Sequence, residues 1–144
     1  MKIYALILLT VFLSKGCGSD EEIDMQSAVV EYTATTRGFF QKITIKNHEV
    51  FVSKERNSTA IEKGIKISDA DWNEMVRDFQ AINLDEIHNL KSPTEKRFYD
   101  GAPIANLKIT FKDKTYESQS FDHGFPPAEI EKLVVKINSL VKTQ

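Results

Sequence analysis

The chain has 144 residues, 41% of them apolar, with 19 basic and 21 acidic side chains for a net charge of −2. This is enough for one domain with a real core and too little for two. A slightly acidic balance argues against general nucleic-acid binding, which wants a basic face. A single cysteine excludes a disulfide framework or a cysteine-based metal staple.

Met1-Lys2 is a short positive start, and Ile3 to Leu13 is an almost unbroken apolar run. Its length suits the hydrophobic region of a signal peptide. A spanning helix needs roughly 17–25 apolar residues, so the run predicts export rather than a retained anchor. Ser14-Lys15-Gly16-Cys17 follows. A small residue directly before a cysteine resembles the lipobox of bacterial lipoproteins, and that resemblance implies cleavage before Cys17 and lipidation on it. Ser14 stands where the family usually has Leu, and Lys15 where it has a small residue. Ser14 and Gly16 equally satisfy the small-x-small rule of ordinary signal peptidase, so simple secretion is the alternative. Cys17 has no internal partner, and lipidation gives an exported thiol a use.

The tract Gly18-Ser19-Asp20-Glu21-Glu22 is similar to the surface-export signal of Bacteroidota lipoproteins; the plain alternative is a solvated acidic linker. The expected division is therefore a signal peptide over 1–16, an acidic tether over 17–26 and one domain over 27–144. Loss of the leader, with Lys2 and Lys15, leaves 17 basic against 21 acidic residues, a net charge of −4.

Val30, Tyr32 and Ala34 alternate with Glu31, Thr33 and Thr35, the period of a half-buried strand. Arg37-Gly38 turns the chain into a second strand, with Phe39, Gln41, Ile43 and Ile45 on one face. Asn47-His48 suits a two-residue hairpin turn, because Asn tolerates positive φ, and Glu49 to Lys54 returns as a third strand. Asn57-Ser58-Thr59 fits a glycosylation sequon but carries little weight beside a bacterial-looking leader. Ile65 and Ile67 suggest a short edge strand. Ser68-Asp69-Ala70-Asp71 is a helix start, and Trp72, Met75, Val76, Phe79 and Ile82 form an apolar stripe at helical spacing. Leu84 to Leu90 predicts one more helical turn.

Residues 91–103 read as a loop with a basic-aromatic tip, Lys96-Arg97-Phe98-Tyr99. Ala105, Leu107, Ile109 and Phe111 alternate with polar residues, Asp113-Lys114 turns the chain, and Thr115 to Phe121 returns. Pro126-Pro127 leads into a last helix with Ile130, Leu133, Val134 and Ile137 on one face. The order βββα-loop-ββα predicts an α+β fold: a two-layer sandwich with an antiparallel sheet of about five strands and two helices on one face.

Asp100, Asp122 and His123 are the most chemical-looking residues. They flank the final hairpin beside glycines, and a loop folded back could bring them together as oxygen and imidazole ligands. No paired-ligand spacing supports a metal, however. The favoured reading has Asp122 and His123 bonding the loop backbone and capping the last helix, and Asp100-Gly101 making a turn. His48 and His88 read as polar surface. Lys96, Arg97, Phe98 and Tyr99 are candidates for partner contact, since Arg and Tyr often anchor interfaces; the favoured alternative tucks Phe98 or Tyr99 under the loop as a core lid and leaves the cations solvated. No nucleophile elbow, phosphate loop or dinucleotide fingerprint is present.

The leader, the acidic tract and the domain size resemble uncharacterised small exported lipoproteins of Bacteroidota. The resemblance implies an outer-membrane or cell-surface protein held to the membrane through Cys17, with a periplasmic or secreted form as the alternative. The expectation is a non-enzymatic binding module with a protein or small-ligand partner, no nucleic acid and no cofactor. An inhibitor or immunity-type lipoprotein acting on a secreted enzyme is the second reading, and a small hydrolase the third.

Overall fold

A computed structural model describes residues 24–142. The leader, Cys17 and the acidic tract through Glu22 lie outside the described residues. Strand β1 (Ala28–Thr36) runs into β2 (Phe39–Lys46) and β3 (Glu49–Ser53), each pair antiparallel across a two-residue turn. Asn47 and His48 have φ of 51° and 65°, the left-handed pair that matches the twist of a tight hairpin. Strand β4 (Ile65–Lys66) adds to the β3 edge.

The two hairpin groups join through β1. Strand β5 (Ile104–Phe111) lies antiparallel to it, with Tyr32 opposite Leu107 and Val30 opposite Ile109. The longest apolar alternations in the chain thus lie side by side at the centre, in the order β4-β3-β2-β1-β5-β6. Their shared face is fully buried, whereas either strand at an edge would leave part of that apolar row in water.

The expected return strand from Thr115 to Phe121 is instead two pieces, β6 (Lys114–Glu117) and β7 (Phe121–Asp122), both paired to β5. The break has a visible cause. The Ser118 hydroxyl accepts from the Leu107 N–H at 3.0 Å, taking the place of a backbone carbonyl, and the Asn106 side chain donates to the Ser118 carbonyl at 2.9 Å. Such side-chain competition ends a ladder. The preceding turn is Lys112-Asp113, one residue earlier than expected, with Lys112 at φ 53°.

Helix α1 (Asp69–Gln80) starts where Ser68 caps it: the hydroxyl accepts from the Asp71 N–H at 3.2 Å. Trp72, Met75 and Phe79 face the core. Helix α2 (Glu131–Lys142) begins a turn later than Pro126-Pro127 suggests, since the Ile130 N–H first donates to the Pro127 carbonyl at 3.1 Å. Lys136 ties the helices together, with Nζ 2.6 Å from Asp71 and 2.7 Å from Glu74. Their buried side chains share one cluster with Tyr32, Ile43, Ile45, Leu107 and Ile109. The result is the two-layer α+β sandwich, with an antiparallel sheet of seven strands, two of them only two residues long.

The other sheet face is polar. Glu31 sits between Lys42 (2.7 Å) and Lys108 (2.6 Å). Burial works against its charge, but the two ammonium groups more than offset this and hold the carboxyl below its usual range. His48 is more than surface: its ring stacks on Trp72 at 4.4 Å between centroids, fastening the β2–β3 turn to α1. Among the described residues no helix is long and apolar enough to cross a membrane.

Candidate binding site

The end of the sheet where β1 finishes also carries the starts of β2 and β5 and all of β7. The loop over 91–103 folds onto this end, where Asp122 and the His123 N–H, which donates to the Pro103 carbonyl, hold it. Asp122 has no exposed surface. Its carboxylate accepts from the Thr94 hydroxyl, from the backbone N–H of Lys96 at 2.7 Å and Arg97 at 3.0 Å, and from Arg97 Nη1 at 3.2 Å. Burial alone would raise the pKa of this acid. The four donors overcome that and lower it to about 2. A charge this deep is stable only because its acceptor capacity is filled.

The loop so fixed contains a 3-10 turn over Lys96–Tyr99, closed by Asp100 at φ 60°. Asp100 ends that turn, and the Gly101 N–H donates to the Lys96 carbonyl at 2.8 Å. Asp100 is exposed while Asp122 is wholly buried, so the two do not form a common ligand set. Among the described residues no group of three His, Cys, Asp or Glu side chains could hold a metal ion.

His123 points elsewhere again. Its Nδ1 lies 2.7 Å from the Tyr32 hydroxyl, and its ring lies 5.9 Å from both Tyr32 and Phe39. Burial, with Lys142 nearby, pushes the imidazole below its ordinary pKa, and burial pushes the Tyr32 phenol up. A neutral ring and a neutral phenol therefore share this hydrogen bond. Both residues bond the loop backbone as expected, Asp122 through its carboxylate and His123 through its N–H to the Pro103 carbonyl at 3.0 Å, but neither side chain caps the last helix: one faces the loop, the other β1.

The lid reading of the tip also fails. Phe98 and Tyr99 are each 71% exposed. The inward residue is Arg97, whose side chain is only 9% exposed because Asp122 draws it in. Its guanidinium carbon lies 4.3 Å from the Phe98 ring centroid, and Lys96 Nζ lies 4.3 Å from that of Phe125.

Of eight exposed large hydrophobic side chains among the described residues, five belong to this end: Phe39, Phe98, Tyr99, Ile104 and Phe125. They are linked through the Asp122-His123 hub. Ile104 pairs with Asp122, the Phe125 N–H donates to the Asp122 carbonyl at 2.9 Å, and Phe39 meets His123. Phe39, Ile104, Phe125 and Thr94 were not singled out from sequence, and the available signal was slight. Phe39 and Ile104 stand at strand ends, where alternation no longer says which side is covered.

A groove of about 710 Å³ between the helices, lined by Glu74, Arg77, Asp78, Lys132, Val135 and Lys136, is an alternative site. Its central cation is already engaged by Asp71 and Glu74. No family model matches the chain, and a search of curated proteins finds no match.

Proposed function

We propose that this protein is a non-enzymatic binding module that recognises a protein partner through the Lys96–Tyr99 tip, displayed at the cell envelope by a lipid on Cys17. The observation that carries the reading is the gathering of exposed Phe98, Tyr99, Phe125, Ile104 and Phe39 around a loop pinned by a buried carboxylate. Exposed apolar side chains collected at one place mark interaction surfaces. A loop already held in shape loses little freedom on binding, so more of the contact energy appears as affinity. Arg and Tyr are common interface anchors.

The same preformed, protruding loop suits an inhibitor of a secreted enzyme, which is the second reading. Hydrolysis has less support: the strongly perturbed acid, Asp122, has no exposed surface and directs its oxygens at the loop. The test is a Phe98→Ser/Tyr99→Ser variant of the full chain, compared with wild type in crosslinking on intact cells. Wild type should yield a discrete adduct that the variant loses while both unfold at the same temperature; an adduct indifferent to both substitutions would overturn the tip as the recognition surface.

A further inference from the structure

The Arg97 guanidinium uses only one of its edges. Nη1 makes every bond, donating to Thr94 O at 2.9 Å, to Asp122 Oδ1 at 3.2 Å and to Ser92 Oγ at 3.3 Å. Nε is buried with no hydrogen-bond partner, and Nη2 forms none within the described residues. A buried donor left unfilled is costly, and native interiors rarely keep one without a reason. The Nε–Nη2 edge is also one that takes a carboxylate side-on, through two parallel bonds. Phe98 lies against the guanidinium and is itself largely exposed, so its ring can turn away into solvent.

We infer that the Nε–Nη2 edge of Arg97 is a carboxylate-binding site, and that its occupant is an acidic side chain of the protein partner carried beside an apolar one. The inference rests on the binding-module reading and names the chemistry of its partner. Charge favours a carboxylate over a phosphate. Glu95 and Asp100 flank the tip and, with Asp122, outnumber Lys96 and Arg97 three to two, which repels a phosphate dianion more strongly than a monoanion. The carrier must be apolar because the neighbours of the cations are apolar: Phe98 lies on Arg97 and Phe125 on Lys96, and both offer nothing to a hydrated ion alone. Lys96, resting on Phe125 and in no ion pair among the described residues, supplies a second attraction.

The experiment titrates the full chain with 3-phenylpropanoate, a carboxylate on an aromatic carrier, and follows the Arg97 Nε–Hε resonance by NMR at constant ionic strength. A saturable shift of that resonance is expected in wild type, and binding to Arg97→Lys, followed on the backbone amides of Phe98 and Tyr99, should be about tenfold or more weaker, since lysine keeps the charge but has no two-donor edge. Inorganic phosphate shifting the wild-type resonance equally well would overturn the assignment, as would saturation that leaves Nε–Hε unmoved. Should Arg97→Lys disturb the loop, Phe98→Ala gives a second test, because it leaves the Asp122 bonds in place. In that variant Hε should exchange faster with water and still respond to phenylpropanoate; no response would sink the proposal. A cellular adduct lost in Phe98→Ser/Tyr99→Ser but kept at full yield in Arg97→Lys would refute this site and leave the tip itself standing.

Discussion

Replacing Asp122 by Asn tests whether one buried carboxylate fixes the loop over residues 91–103. The substitution keeps size and shape. It removes the charge opposite Arg97 and turns one acceptor oxygen into a donor, which then faces the N–H of Lys96 or Arg97, or the Thr94 hydroxyl. Two hydrogen bonds to a charged acceptor, at about 1.5–3 kcal/mol each, set the scale of what is lost. Leaving the buried guanidinium without its partner points to a similar total of about 3–5 kcal/mol. The loop can limit this cost by detaching into water, so the global loss should fall near the lower figure, about 3 kcal/mol. At roughly 3–4 °C per kcal/mol for a domain of this size, the melting temperature should drop by about 10 °C. Thermal unfolding at pH 7, followed by circular dichroism, measures that drop. Hydrogen exchange at the Lys96 and Arg97 amides reports the loop directly and should accelerate even below the transition. A shift under about 2 °C with both amides still protected would refute the reasoning.

Because the folded pKa of Asp122 is depressed to about 2, its contribution should be complete above about pH 4, the unfolded value, and fade as pH falls toward 2. The Asn variant should lack that acid-side loss. His123 also has a depressed folded pKa, so its neutral form stabilises the fold above about pH 6.5 and the benefit declines as pH drops through that region; a His123→Gln variant whose stability falls between pH 7 and 5.5 as steeply as wild type would contradict this. Trp72→Ala should cost about 3–5 kcal/mol in denaturant unfolding, since it opens the core under α1 and removes the ring on which His48 stacks. Mass spectrometry of the mature N-terminus should find Cys17 acylated, and an unmodified cysteine there would overturn the anchor.

The layers of this fold were readable because they depend on local periodicity. Val30, Tyr32 and Ala34 alternate, Trp72, Met75 and Phe79 recur at helical spacing, and those patterns report burial without knowledge of the partner. Sheet order was not readable, since pairing β1 with β5 is a choice between distant strands. The site was least legible. Asp122 was marked out by its place beside His123-Gly124 and the loop, but its partners Thr94, Lys96 and Arg97 lie 25 to 28 positions earlier in the chain, beyond any local pattern. Arg97 looks solvated in a Lys-Arg-Phe-Tyr run, yet it turns inward because the matching charge is inside. Ser118 breaks a strand with a hydroxyl whose target, Leu107, no local pattern indicates.

The direction of β1 sets a standoff. The strand leaves the tether side at Ala28 and ends beside the aromatic tip, and its nine residues span about 26 Å. A lipid on Cys17 would therefore hold the domain by one pole and present Phe98 and Tyr99 from the opposite one.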